Sequence, residues 1–446
     1  MKPEWLHEDS LQQLFAATEK AGGQARVVGG AVRDFLMGCE GSDVDIASTL
    51  LPERTMEIAA QQGWKAVPTG IDHGTVTLVL PGRVVEVTTL RRDVATDGRH
   101  ATVAFTDDWR EDASRRDFTI NALSMDAAGE LYDFFDGQAD IAAGRVRFIG
   151  DANHRIAEDG LRILRFFRFL AGHGKPPADV EALAACTAKK DMIAKLSGER
   201  IANEMRKLLQ VENPAFALRL MADSGVAAHV FLGDITPSRM IRLAMLEAQA
   251  DYQTSVWARV LLLLGVPASA ARPHPEFSQK KIQTSPEGEV SESRSGATFK
   301  PLPRERSKSP VVISGEGVRP IDRLIARWKL SRHEAQQLKL LEGLPPFEAN
   351  APRHVHTRIL RLHGAPAYLD WLLIQAALQP GLNIAPYVHL AHDFTPPKFP
   401  IAAADLMARG MKEGKALGEA LAMLEQRWEE SDYTLGKEVL LSAISE

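Results

Sequence analysis

The chain has 446 residues, 45% hydrophobic and 25% charged, with 53 Lys and Arg against 58 Asp and Glu for a formal net charge of −5. That length exceeds one ordinary core and sets an expectation of about three or four domains. The composition is that of a soluble globular protein, and its longest apolar run, VLLLLGV at 260–266, falls far short of the roughly 20 residues that a bilayer span needs.

The start, MKPEWLHEDSLQQLF, is acidic and has no continuous apolar segment, so no secretory leader is expected and the chain reads as cytoplasmic. ARVVGG reads as a strand entering a turn, AVRDFLMG as a helix closed by Gly38, and SDVDIAS as a second strand. LPERTMEIAAQQG reads as a helix with Pro52 near its start and Gly63 at its end. TVTLVLPGRVVEVTTL alternates on both sides of Pro81-Gly82, the pattern of a β-hairpin. After about residue 150 one amphipathic helix follows another. The stretch 267–318 is rich in Ser, Pro, Gly and charge without either period, which predicts an unstructured insertion, and helical patterning then resumes. Cys39 and Cys186 alone make no disulfide framework and no zinc site, and both are expected to be buried thiols.

Asp43 and Asp45 stand at i and i+2 on the second strand, so their carboxylates share a face. With no base between them they repel each other unless a cation intervenes. Magnesium suits the pair, because it takes one or two carboxylates and completes its shell with substrate phosphates. Alone, such a pair is more often a solvated strand end. The preceding turn alters that weighing: Gly29-Gly30 lets backbone approach a ligand, and the following helix aims N–H groups and Arg33 at an anion. GGAVRD does not supply the three glycines of a dinucleotide fingerprint.

RRDFTINALSMD, Arg115 to Asp126, reads either as a charge cluster at a helix N-terminus or as a grip on ribose and phosphate. In EDGLRILRFFRF, Asp159, Arg162, Arg165 and Arg168 recur every three residues, a stripe that winds around a helix. It serves either surface ion pairs or a bound nucleotide. Cytosine and adenine both show an exocyclic amine beside a ring-nitrogen acceptor, so a carboxylate with an Arg would take CTP and ATP and disfavour UTP and GTP. Asp159 and Arg162 are such a pair.

Together, VVGGAVRDFLMG…SDVDIAST, RRDFTINALSMD, EDGLRILRFFRF and GERIANEMRKLL, in this order, resemble the bacterial class II CCA-adding tRNA nucleotidyltransferases, of the poly(A) polymerase family within the polymerase-β-like superfamily. The resemblance covers about residues 25–210. It implies an α+β fold: a nucleotidyltransferase head (1–150), then an all-α neck (151–210), body (211–266) and body and tail (319–446). It makes Asp43 and Asp45 the magnesium ligands, and puts Gly30 and Arg33 on the nucleotide phosphates. Arg116 becomes a nucleotide contact with Asp117 near the ribose, Asp159 and Arg162 the base readers, and Arg165 and Arg168 the rest of the pocket. Glu199 and Arg200 match a later helical motif that braces the neck. Thr89 to Phe105 lies where the family has a flexible loop that helps the switch from C to A addition, and reads otherwise as a solvated hairpin. Strand periodicity leaves open whether Glu86 adds a third carboxylate.

The implied reaction is template-independent addition of CCA to the 3′ end of tRNA from CTP and ATP, releasing pyrophosphate. No membrane and no stable protein partner is expected. A bacterial poly(A) polymerase shares these motifs but usually has a basic tail, whereas residues 401–446 hold five Lys or Arg against nine Asp or Glu. A partial CC-adding or A-adding enzyme remains an alternative. An RNA-binding protein that had lost catalysis would be expected to lack one of the aspartates. His392-Asp393 is a lone dipeptide, which speaks against an added phosphohydrolase domain.

Overall fold

The computed structural model describes residues 2–39, 43–96, 101–265 and 319–444. They fall into two compact units, Met1–Leu264 and Gly265–Glu446. The expected unstructured insertion lies outside the described residues.

The first unit opens with α1 (Asp9–Lys20), β1 (Ala25–Val28), α2 (Gly30–Leu36), β2 (Asp45–Ser48), α3 (Pro52–Gln62), β3 (Lys65–Gly70), β4 (Thr75–Leu80) and β5 (Arg83–Thr89). A hairpin, β6 (Arg91–Thr96) with β7 (Ala101–Phe105), leads to α4 (Trp109–Ser114), β8 (Ser124–Met125), β9 (Leu131–Tyr132) and α5 (Gly137–Ala143). Seven strands make one sheet in the order β3-β4-β5-β2-β1-β8-β9. Its neighbours are antiparallel except β2 and β5, which run parallel. The β4–β5 turn falls at Pro81-Gly82 as expected, with Leu80 facing Arg83. One face of the sheet is covered by the apolar sides of the early helices: Leu11, Leu14, Ala31, Val32 and Ala59 pack on Val27, Ile46, Val76, Leu78, Val85 and Val87. Gly63 ends α3 with φ 74°, the left-handed conformation glycine adopts without strain.

Helices follow: α6 (Ala152–Glu158), α7 (Leu161–His173), α8 (Val180–Ala188), α9 (Gly198–Leu209), α10 (Ala215–Asp223), α11 (Val226–Phe231), α12 (Ser238–Ala250) and α13 (Val256–Leu264). The sheet and these helices meet through aromatic packing. Phe118 stands 4.7 Å from Phe148 and 5.3 Å from Phe169, and Phe148 stacks 6.1 Å from Phe166. Farther along, Arg259, fully buried, donates to both carboxylate oxygens of Glu247 and to the carbonyls of Leu209 and Val211, tying α9, α12 and α13 together. The VLLLL run is buried within α13, as its composition requires.

In the second unit all described elements are helical: α14 (Pro320–Trp328), α15 (Arg332–Gly343), α16 (Arg353–Leu378), α17 (Ala385–Asp393), α18 (Ala403–Met407), α19 (Lys415–Glu430) and α20 (Lys437–Ser442). Gly364, φ 80° and ψ 167°, with Pro366 beyond it, kinks α16. No helix among the described residues is long and apolar enough to cross a membrane.

One expectation about burial fails. Cys186 is buried, but Cys39, which lies beyond the Met37 cap of α2, is exposed.

Candidate functional site

The sheet register assembles the site. Val28, the last residue of β1, pairs with Asp45, the first of β2, so the glycine turn after β1 and the aspartates before and in β2 meet at one end of the sheet. Asp45 in turn pairs with Glu86 on the parallel neighbour β5. Aligned residues on adjacent strands share a face, so Glu86 faces the same way as Asp45, and both line one cavity of about 210 Å3 with Arg91, Arg115 and Arg116. Asp43 precedes the strand rather than lying on it, and is exposed. Loss of hydration, then the charges of Glu86 and Asp43, push the Asp45 carboxyl above its usual range.

That excess of negative charge on hard oxygen donors is the chemistry of a divalent cation site. Among the described residues no three His, Cys, Asp or Glu side chains come close enough to hold an ion by themselves. The oxygen donors present, Asp45 with Glu86 beside it, are of the hard kind that a divalent cation takes.

A larger cavity of about 640 Å3 shares Asp45 and Arg116 with the smaller one. Its lining includes nine of the ten residues singled out from the sequence: Gly30, Arg33, Asp45, Arg116, Asp117, Asp159, Arg162, Arg165 and Arg168. Asp43 is not among its lining residues. Gly29 takes φ 71° and ψ −121°, a backbone conformation that favours glycine, and a Cβ there would stand 3.1 Å from the Arg116 guanidinium. Arg33, 9% exposed, donates from Nε to Asp34 at 2.7 Å and from Nη1 to Asn121 Oδ1 at 2.7 Å.

Arg115, Arg116 and Asp117 follow α4 instead of opening a helix, which removes one of their two sequence readings. Both arginines turn back to Asp112, buried at the base of that helix, whose Oδ1 accepts Arg115 Nη2 at 2.7 Å and whose Oδ2 accepts Arg116 Nη2 at 3.3 Å. Asp117 is buried and fully engaged: Oδ1 accepts the Phe118 N–H at 2.9 Å and Asn121 Nδ2 at 3.1 Å, and Oδ2 accepts Arg165 Nε at 2.5 Å. Burial opposes its charge, but Arg165 and these hydrogen bonds outweigh it and hold the carboxyl below its ordinary range. Its carboxylate thus ties Arg165 of α7 to the segment that follows α4.

The stripe read on α7 needs one amendment. The helix begins at Leu161, and Asp159 sits before it in extended backbone, φ −152°, so the carboxylate leaves the stripe and enters the cavity from the link between α6 and α7. Its Oδ1 accepts the Leu161 N–H at 3.0 Å and its Oδ2 accepts Arg200 Nη2 at 2.6 Å. Arg162 Nη1 donates to the carbonyl of Arg155 at 2.8 Å and to Glu158, and Nη2 to the carbonyl of Arg115 at 3.4 Å. Arg165 and Arg168 share Glu204, a buried acid on α9, at 3.9 and 3.2 Å.

Sequence reading passed over Asp112, Asn121, Phe169, Glu204 and Lys207. Asn121 and Glu204 carried a signal: each is a polar residue interrupting an apolar face, Asn121 in TINAL and Glu204 among Ile201, Met205 and Leu208. Glu199 lies in the first turn of α9, and the Arg200 beside it reaches Asp159, which is how α9 braces the site.

Family models match twice: a Poly A polymerase head domain over residues 25–147, and a probable RNA and SrmB-binding site of polymerase A over residues 179–235. The mouse mitochondrial CCA tRNA nucleotidyltransferase 1 is 33% identical over 98% of this chain and 89% of its own length. The CCA-adding enzyme of Geobacillus thermodenitrificans is 40% identical over 47% of this chain and 51% of its own. Among solved structures, the Bacillus stearothermophilus CCA-adding enzyme in complex with CTP superposes with a TM-score of 0.70 at 26% identity, covering 97% of this chain and 94% of that one. The Thermotoga maritima CCA-adding enzyme shares the fold with a TM-score of 0.60 at 18% identity, over 100% and 98%. The chain belongs to the CCA-adding tRNA nucleotidyltransferase family.

Proposed function

We infer that the chain adds C, C and A to the 3′ end of tRNA from CTP and ATP, by attack of the terminal 3′-hydroxyl on the α-phosphorus with release of pyrophosphate. One observation carries the reading: Asp45 stands where a cavity rich in arginines, with Asp159 and Arg162 in its wall, meets a second polar cavity beside Glu86. A nucleotide in the arginine-rich cavity and an acceptor end approaching through the other would meet at Asp45.

Arg33, Arg165 and Arg168 suit the polyphosphate, Arg116, which lines both cavities with Asp45, suits the reacting phosphate, and Asp159 with Arg162 suits the amine and ring nitrogen shared by cytosine and adenine. Asp43 and Asp45 would hold a divalent metal, for which magnesium is proposed on the hardness of its donors. When bound, the metal supplies charge to the attacking hydroxyl and to the phosphate oxygens. Asp117 and Asn121 keep Arg165 and Arg33 turned into the cavity. The tRNA itself would be held by shape and phosphates, since an enzyme that serves every tRNA gains nothing from reading a duplex.

The proposal also divides the chain into a head (1–150), neck (151–210) and helical body and tail. It assigns the chain to the bacterial class in the cytoplasm, acting without a stable protein partner. The bacterial assignment rests on the four ordered motifs; identity is 40% to a bacterial relative over 47% of this chain and 30 to 33% to mouse and human mitochondrial enzymes over 98% of it. A poly(A) polymerase is the second reading, disfavoured by the acidic tail. Incorporation of each labelled nucleotide into tRNA lacking its 3′ end separates them: two C and one A support the inference, a long A tail replaces it with the second reading, and addition of only CC or only A makes this a partial enzyme.

A further inference from the structure

Phe169, near the end of α7, lines the large cavity while the residue is only 6% exposed. Its ring is surrounded by cations. The guanidinium carbons of Arg168, Arg33 and Arg165 lie 4.2, 5.3 and 5.4 Å from the ring centroid. Behind them the ring is fixed by an edge contact to Phe118 at 5.3 Å and by His173, stacked at 5.8 Å. Arg33 comes from the sheet end of the unit and the other two from α7, so one ring gathers arginines from two separate elements.

Three guanidinium groups brought this close repel one another, and something must hold them. Carboxylates do part of it here, through Asp34, Asp117 and Glu204. Each added carboxylate, however, occupies N–H donors and sets a negative charge against an incoming phosphate. An aromatic face does neither. Its quadrupole attracts the cation through the ring and takes none of the N–H donors on the guanidinium edge.

We propose that Phe169 is a positioning residue for the triphosphate, its ring gathering Arg33, Arg165 and Arg168 into one clamp that serves CTP and ATP alike. The proposal rests on the reading of this cavity as the nucleotide pocket and adds the device that assembles its polyphosphate end. Because none of the three arginines is among the proposed base readers or metal ligands, the clamp sets affinity for the phosphate chain and leaves base choice to other residues.

The test replaces Phe169 in the full chain with 4-fluoro-, 3,5-difluoro- and 3,4,5-trifluorophenylalanine. These keep the ring's shape closely and weaken its negative face step by step. The measurements are the KM of CTP and of ATP, inhibition by inorganic tripolyphosphate, and the unfolding midpoint. The expected result is a stepwise loss of affinity, about tenfold at the trifluoro end, equal for CTP, ATP and tripolyphosphate, with the CTP to UTP preference and the unfolding midpoint unchanged. Phe169→Leu should lose at least as much. If Phe169→Leu weakens binding but the fluorinated series is flat, the ring only fills space and the proposal is overturned while the proposed function stands. If the wild-type chain neither binds tripolyphosphate nor extends tRNA, the nucleotide-pocket reading falls, and the clamp with it.

Discussion

Asp159→Asn changes what one wall of the cavity says to a base while removing almost no bulk. In the folded chain the carboxylate answers two donors at once, the Leu161 N–H at 3.0 Å and Arg200 at 2.6 Å. An amide has one oxygen for both. Turned to Arg200, it sets its NH2 against the Leu161 N–H; turned to Leu161, it sets the NH2 against a guanidinium. Toward the ligand, a carboxylate accepts from the amine of cytosine and repels O4 of uracil, whereas an amide nitrogen donates to O4. A hydrogen bond to a charged group contributes about 1.5 to 3 kcal/mol, and with Asp159 and Arg200 both partly exposed about 2 kcal/mol is the fitting value, or about thirtyfold in kcat/KM. The assay is single-turnover addition of the first nucleotide to tRNA lacking its 3′ end, with each triphosphate in turn. CTP addition should fall by about that factor, UTP addition should hold or rise, and the preference between them should narrow accordingly. An unchanged preference in a variant that still folds would refute the assignment of Asp159 as a base reader.

Asp43→Ala and Asp45→Ala should each lower nucleotide transfer by several kcal/mol of barrier, on the order of a thousandfold or more, yet leave tRNA binding in place by gel shift; joint loss of both would mean the fold had failed. Glu247→Ala strands the fully buried Arg259 without its counter-charge, so urea unfolding should show a loss of about 3 to 5 kcal/mol, while the paired Glu247→Leu, Arg259→Met exchange should cost much less. His173 is pulled down to about 4 by burial and by Arg33 and Arg168. The unfolded chain protonates it first, near 6.5, so its contribution is complete above that pH and fades as pH falls toward 4, amounting after solvent screening to about 2 kcal/mol. The urea midpoint of the wild type should therefore drop between pH 7 and 4.5 more steeply than that of His173→Gln, and parallel curves would exclude the effect.

Strands β1, β2, β4 and β5, helices α2 and α3 and nine cavity residues were legible because their signals are local: alternation about Pro81-Gly82, Gly63 closing a helix, two aspartates one residue apart. Partnerships were not, since they span long separations. Arg33 meets Asn121 at a distance of 88 residues and Arg165 meets Asp117 at 48. Periodicity cannot say that Arg115 and Arg116 turn back onto Asp112, nor that Asp159 steps off the helix to which its spacing assigned it. A strand's two faces look alike until its neighbour is known, so the direction of Glu86 had to wait for the β2–β5 register.

Each proposed base reader is held by something outside itself. Asp159 is pinned by Arg200 from α9 and by the backbone of α7, and Arg162 by Glu158 of α6 and the carbonyls of Arg155 and Arg115. Side chains tied at both ends cannot exchange partners cheaply between one addition and the next. For an enzyme without a nucleic-acid template that rigidity is useful, because cytosine and adenine offer the same amine beside the same ring-nitrogen acceptor and one fixed acceptor–donor pair serves both. What differs between them is ring size. The passage from C to A then requires a change in how deeply the base is seated, and the reading pair can stay as it is. Damage to that pair should accordingly depress C and A addition by similar factors, whereas a change that alters only the depth of the cavity should separate them.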